Sequence, residues 1–478
     1  MGIEKIASDG IMEKKNDSRL LWLLYAAIAL LPFNDIARLS FLGELGFEAS
    51  IYPMIIGVAL FLILANKYFP KQKSFFFLLA FLCWLIVSGL VNGVDITRNY
   101  TKGRSGVEKY IFQLIVFVFM FLSALYIYKS LKGHDPERIF KKIHLVIIYS
   151  FLGVALYSLF EIFHLFEIKL FEPLYNYFSG IIHNDNLIFL DQRLRAVSRE
   201  PSWFAHYIAF VYPWLLSYPF LKDKNIKWLC FILLIFSIIL VAFTFSRTAY
   251  AIVAFESIVF SLLLLLYGKT IPVRTVVLPI LSAVLFIGLI LYPVGPKVFN
   301  EITSFISNSE TSKLHPRTSL NAKMSALARL GSQEAALKMG IAKPFFGVGL
   351  GQYGFNMPEY ISEKALQSYE VKAWASPQLN TPWAPALGLY ARIVGELGVP
   401  GLLLWLAIWV SIIIGVWKKA KYEIKTGYGF GIVFLTSLCG VFLVGFSIDS
   451  FRFLGYWIVF SLCWFYLDDK AMYRQVSK

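Results

Sequence analysis

Long runs of apolar residues dominate this chain, and they leave few folds open to it. Hydrocarbon about 30 Å thick needs roughly 20 apolar residues per crossing helix, and by that criterion the chain offers about twelve such runs. They fall near 20–33, 51–66, 75–92, 110–128, 143–165, 204–221, 228–245, 248–267, 275–292, 397–416, 428–446 and 453–467. Of 478 residues, 58% are hydrophobic and 16% charged, whereas a soluble domain carries about 25% charged residues. No backbone group can be left unpaired in lipid, and the alternation of barrel strands is absent, so the expectation is an all-α polytopic membrane protein. The first run follows a polar, charged segment and lacks a small-residue cleavage site, so it reads as a retained helix and not a cleaved signal peptide. Cys83, Cys230, Cys439 and Cys463 all lie inside apolar runs, where they read as small buried hydrophobes.

A formal net charge of +15 could suggest nucleic acid, but its distribution excludes that class. Lys5, Lys14, Lys15 and Arg19 precede the first run; Lys67, Lys71 and Lys73 follow the second. Lys129, Lys132, Arg138, Lys141 and Lys142 follow the fourth, Lys222, Lys224 and Lys227 the sixth, and Lys269 and Arg274 the eighth. Lys418, Lys419, Lys421 and Lys425 follow the tenth. These alternate loops are the cytoplasmic ones by the positive-inside rule, with both termini inside.

That topology divides the chain into a cytoplasmic tail (1–19), nine helices with an outer loop at 167–203 (20–294), and a large outer loop (295–387). A lead-in helix with three further spans (388–467) and a second tail (468–478) complete it. The large loop is too apolar for disorder: Leu327, Leu330, Leu337 and Ile341 share a helical face, with Ser325 available as a cap. Amphipathic helices over the outer mouth of the bundle are expected.

The outer loops concentrate cations against the topological bias. Arg193, Arg195, Arg199 and Glu200 lead into the sixth run with Trp203 and His206; Arg247 sits at the outer join between the seventh and eighth. Arg317, Lys323, Arg329, Lys338 and Lys343 lie in the large loop, and Arg392 just beyond it. Arginine forks grip phosphate oxygens in pairs; singly, an arginine near a helix end can equally snorkel to lipid phosphate. Glu200 precedes Pro201 at a helix start, where it reads either as a structural carboxylate or as a proton acceptor for a sugar hydroxyl. Trp203, Tyr353, Tyr360, Trp374 and Trp383 could meet sugar faces, although aromatics also mark any membrane interface. Glu161 and Glu256 lie near or within helices and require polar partners that the sequence does not name. Gly347-Val-Gly-Leu-Gly351 lacks the strand–helix setting of a dinucleotide loop and reads as a tight turn.

Taken in order, these motifs are familiar. Arg193-Leu-Arg195-Ala-Val-Ser-Arg199-Glu200-Pro201-Ser202 resembles capsule and exopolysaccharide polymerases. Ser246-Arg247-Thr248-Ala249, Ala328-Arg329-Leu330, Pro344-Phe-Phe-Gly347-Val-Gly349-Leu-Gly351 and Glu396-Leu-Gly398-Val-Pro-Gly401-Leu resemble the O-antigen ligase/polymerase superfamily. The resemblance implies a membrane-embedded glycosyltransferase of the C type in the bacterial inner membrane, its active site facing the periplasm. It implies polyprenyl diphosphate donors, inversion at the anomeric centre, and no metal or cofactor. Arg247 and Arg329 match the family's two arginines held to bind the donor diphosphate. The ligase branch places a histidine ahead of its Glu-Leu-Gly segment, but Trp383 to Arg392 contains none, which favours a polymerase. The expected partners are undecaprenyl-diphosphate-linked glycans as donor and acceptor, the bilayer, and a chain-length regulator. Glu200 is the candidate base, Arg193, Arg195, Arg199 and Arg392 further phosphate or substrate candidates, and Trp203, Tyr353, Trp383 and His206 the sugar contacts. A ligase acting on another acceptor and a lipid-glycan flippase are the alternatives.

Overall fold

Capping side chains set where several helices begin. Ser105 accepts from the Glu108 N–H, Asp135 from that of Arg138, and Asp223 from those of Asn225 and Ile226. Each satisfies a donor that the first turn of a helix leaves open. The computed structural model describes residues 20–36, 39–63, 68–166, 168–184, 193–267, 316–423 and 429–468, without the side chains of 40–41 and 316–323. The expected ninth span, residues 295–315 of the large loop, and the side chains of Arg317 and Lys323 lie outside the described residues.

Chain order begins with α1 (Leu20–Leu30), α2 (Ile51–Ile63), α3 (Lys73–Val91) and α4 (Gly93–Arg98). The hairpin β1 (Tyr100–Thr101) and β2 (Arg104–Ser105) follows, then α5 (Gly106–Leu131), α6 (Pro136–Leu165), α7 (Glu172–Ile182), α8 (Pro201–Leu216), α9 (Lys224–Thr244) and α10 (Arg247–Tyr267). After residue 315 come α11 (Pro316–Ala342), α12 (Tyr353–Tyr360), α13 (Tyr369–Ala375), α14 (Leu389–Glu423), α15 (Phe430–Val444) and α16 (Leu454–Asp468). Among the described residues, α3, α5, α6, α9, α10 and α14 are long and apolar enough to cross a membrane; α1, α2, α15 and α16 are shorter apolar helices. The hairpin pairs Tyr100 with Ser105 and Thr101 with Arg104, and both turn residues, Lys102 and Gly103, have positive φ (52° and 71°), as a two-residue hairpin turn favours.

Helix α14 packs on α3 and α11; α8, α10 and α15 pack on one another; α16 lies against α5. Trp405, Trp409, Trp457 and Trp464 are wholly buried among these helices. Their rings meet Phe81, Phe117, Phe451 and Phe460 at 4.9–6.4 Å between centroids, in tilted and edge-on arrangements that suit aromatic quadrupoles.

Alternate connections gather at opposite ends of the bundle. At the lysine-rich end Lys132, Tyr128 and Gln72 all converge on Asp468. At the other end, the mouth, the remaining loops hydrogen-bond to one another. Arg199 N–H donates to Asn34, Arg193 to Thr244 and Lys343 to Asp95; Lys102 donates to Ala373, Trp374 and Pro382, and Gln333 to Phe446.

A second, smaller core formed by α11–α13 and the irregular 382–388 segment covers the mouth. Its buried residues include Ala328, Ala335, Ala336, Met339, Val348, Met357 and Val371. The sequence pattern misassigned the inner face of α11. Leu327 is buried as expected, but Leu330, Leu337 and Ile341 are exposed, Ser325 lies within the helix, and apart from Leu327 and Met339 the buried stripe is made of small residues. Close approach explains this: a Cβ on Gly340 would strike Val394 of α14, and one on Gly331 would strike Ala365. Small residues let α11 lie near the neighbouring backbone, with Leu330 and Leu337 turned outward.

Two glycine motifs that are separate in sequence form one joint. Pro400 has no N–H, so the Glu396 carbonyl lacks its helical donor, and Val399 N–H is diverted to the Pro344 carbonyl. Val348 N–H and Gly349 N–H supply the missing bonds to the Gly395 and Glu396 carbonyls at 2.9 and 2.8 Å. Gly398 (φ 71°) makes the kink, and a Cβ on Gly347 (φ 61°) would run into the Glu396 carbonyl.

Candidate active site

Arg329 reaches the mouth from α11, the layer above it. It is half-buried, and one guanidinium nitrogen lies 3.4 Å from the Ser447 carbonyl in the α15–α16 loop. Burial lowers its pKa and the charge of Arg247 lowers it further, against the opposing pull of Glu200, Glu370 and Asp449. The first residue of α10 and the residue before α8 thus both act electrostatically on the middle of α11.

His206, on the second turn of α8, enters the same place from below. Its Nε2 lies 2.9 Å from the Ser447 hydroxyl, and Arg329 acts on it electrostatically. The ring is buried, stands edge-on to Trp203 at 5.7 Å, and leaves Nδ1 without a hydrogen bond among the described residues. Glu200 is exposed and caps nothing through its side chain; the Ser202 hydroxyl donates to it at 3.3 Å.

Other candidates serve the scaffold. Arg193 closes the end of α9, its Nε 2.8 Å from the Thr244 carbonyl and its Nη2 3.3 Å from that of Phe245. Arg195 is buried 3.7 Å from Asp35, beneath a segment whose Arg195 and Ala196 N–H groups both donate to Glu161. That supplies the missing partner of Glu161, and it holds Ala196 at φ 53°. Both oxygens of Glu256 lack a hydrogen-bond partner among the described residues, and its carboxyl fills the space above Gly440.

Arg392 is fully committed. It donates to Glu396 at 3.0 Å, the Asp449 carbonyl at 2.5 Å and Gln113 at 3.1 Å. Glu396 in turn accepts from Gly351 N–H (2.9 Å) and Tyr353 N–H (3.0 Å), tying the glycine joint to this pair. Tyr353 is buried with its hydroxyl on the Ser332 carbonyl, so no sugar reaches its ring. Arg199 lies over Phe47 at 4.7 Å. Trp203 and Trp383 remain at the mouth, the first under the Arg452 guanidinium at 4.9 Å, the second beside Lys109 and Arg104.

Sequence reasoning passed over the 445–453 loop and the segment before α2. Arg452 pairs with Glu44 and lies 3.2 Å from Glu48; Asp449 accepts from the Ala386 and Leu387 N–H groups. The available signal was an arginine between two apolar runs on the side that disfavours cations.

No curated protein matches the chain. Residues 232–406 match the family described as O-antigen ligase, a segment holding both Arg247 and Arg329, and this match supports the likeness to the O-antigen ligase/polymerase superfamily.

Proposed function

We propose that this chain is a polysaccharide polymerase that transfers an undecaprenyl-diphosphate-linked glycan to a lipid-linked repeat unit, with its mouth on the periplasmic face. The observation that supports the reading is that Arg329 lies within electrostatic reach of both Arg247 and Glu200, though they come from three distant segments. Two guanidinium groups held near each other repel, and a bound diphosphate turns that repulsion into attraction. In the reaction an acceptor hydroxyl attacks the anomeric carbon of the donor and the carbon–oxygen bond to diphosphate breaks. The leaving oxygen carries the electron pair away, its charge held by Arg247 and Arg329. The hydroxyl proton goes to Glu200, the exposed carboxylate in the group.

The test is polymer formation by the purified chain in liposomes supplied only with undecaprenyl-diphosphate-linked repeat units. A ladder of lipid-linked products is expected, reduced at least tenfold in Arg247→Lys and Arg329→Lys, because lysine offers a point charge in place of a planar fork. Transfer that requires an acceptor other than a polyprenyl lipid would identify a ligase instead. Full ladders in both lysine variants would remove the two arginines from the site.

A further inference from the structure

A polymerase of this kind must hold two polyprenyl diphosphate lipids at once, one giving its glycan and one receiving it. Arg247 belongs to α10, in the wall made with α8, α9 and α15. Elsewhere in the bundle α2 packs on α5, and between them runs an apolar groove of about 500 Å³, lined by Leu42, Ile55, Ile56, Ala59, Leu62 and Phe119. That volume falls within the range of about 300–1,000 Å³ typical of small-molecule sites. Ile56 and Leu62 are exposed, so the groove opens sideways, where hydrocarbon would lie. The Tyr52 hydroxyl at its edge is already donated to the Gly46 carbonyl at 2.9 Å.

Cations gather at the mouth end of the same helix α5, Lys109 in its first turn and Arg104 in the strand β2 that leads into it. Lys109 Nζ lies 4.4 Å from the centre of the Trp383 ring, and the Arg104 guanidinium carbon 5.4 Å from it. Neither is in an ion pair among the described residues; burial and the charge of Arg104, and after them that of Arg392, disfavour the Lys109 cation, while Glu44 and Glu108 offset part of this. Phe112, one turn beyond Lys109, lies beside Gly43, the neighbour of groove residue Leu42. The cations and the groove therefore lie along one helix, in the order of the head and tail of a polyprenyl diphosphate. A doubly charged head would relieve the crowding of like charges, and the tail would cover the groove.

We propose that the α2–α5 groove together with Arg104, Lys109 and Trp383 is the acceptor site, taking the polyprenyl chain and diphosphate of the second lipid-linked glycan. The assignment to an acceptor rests on the polymerase reading above. The test is to count undecaprenyl diphosphate bound to the full chain in lipid nanodiscs by native mass spectrometry. Two lipids per chain are expected, with one left in Ala59→Trp and one in Lys109→Gln. Ala59 is exposed, so tryptophan there fills the groove without disturbing helix packing. A photoreactive residue at Leu62 should capture undecaprenyl diphosphate even under tenfold excess phosphatidylglycerol.

Displacement by phosphatidylglycerol, or an unchanged lipid count in Ala59→Trp and Lys109→Gln, would reduce the groove to ordinary lipid contact and overturn the proposal. Polymer formation with unchanged KM for the repeat unit in both variants would also overturn it, while leaving the proposed function intact. Two bound lipids without any polymer would sink the proposed function and leave a second lipid diphosphate site standing.

Discussion

Replacing Glu396 with alanine should detach the outer helical layer from the bundle. The carboxylate is 2% exposed and accepts from Arg392 Nε, Gly351 N–H and Tyr353 N–H, each at 2.9–3.0 Å. Removing one member of a buried ion pair costs about 3–5 kcal/mol, because the other charge stays behind in low dielectric. Each orphaned buried N–H adds about 1–3 kcal/mol, but the terms share one network and do not sum, so about 4 kcal/mol is expected for Glu396→Ala. Glu396→Gln keeps one acceptor oxygen and turns an amide donor toward the other N–H, for about 2–3 kcal/mol. Removing both charges in Arg392→Met/Glu396→Gln should cost less than the sum of the single changes, by about 1–3 kcal/mol. Denaturant unfolding of the detergent-solubilised chain, followed by tryptophan fluorescence, measures all of these. The joint also positions α11, so Glu396→Ala should weaken donor lipid binding through Arg329 without touching the lipid. A Glu396→Ala chain within 1 kcal/mol of wild type, or strict additivity in the double variant, would refute the reasoning.

Three further changes test other parts of the structure. Burial raises the Glu48 carboxyl to about 7, Arg452 offsetting part of the rise and Glu44 adding to it. The folded chain therefore holds a proton that the unfolded chain releases near pH 4.3. The stability this gives is present at low pH and is lost as pH rises through about 7; the melting midpoint should fall between pH 5 and 8 more steeply in wild type than in Glu48→Gln, and equal slopes would count against it. Arg193→Ala removes two bonds to the end of α9 and should cost about 1–2 kcal/mol; because Arg193 is a cap and not a ligand, donor lipid affinity should stay within twofold by titration. Glu200→Gln keeps the geometry of the Ser202 contact but loses the basic oxygen, so single-turnover transfer should slow at least a hundredfold with donor affinity unchanged, and normal turnover would exclude Glu200 as the base.

Apolar run length carried the fold. Where a run is long and uninterrupted, as at 75–92 or 110–128, a helix stands over nearly the same residues because lipid and core make the same demand for paired backbone. The face of α11 was not legible. Its leucines repeat at helical spacing, but spacing says only that a face exists; which face turns inward depends on how close α14 comes, and that is set by Gly340 and Val394 across the contact. The glycine motifs were legible as turns but not as a joint, since nothing in Gly347-Val-Gly-Leu-Gly351 announces that Pro400 has left a carbonyl waiting for it.

The arginines of the mouth show why residue type alone cannot rank site candidates. Arg392 and Arg329 look alike in sequence, both outside the apolar runs and both against the topological bias. One has three protein acceptors, two of them contributed by residues 57 and 279 positions away; the other has one long contact to a carbonyl and feels Glu200, Glu370, Asp449 and Arg247 only through space. A cation surrounded by acceptors is a fastener, because a ligand would have to break bonds already made. A cation with few protein hydrogen bonds and a second cation within electrostatic reach can turn its donors to a diphosphate without first breaking bonds already made. Arg247 with Arg329, and Arg104 with Lys109, are two places at the mouth where cations act on one another. A reaction between two diphosphate lipids calls for two such places.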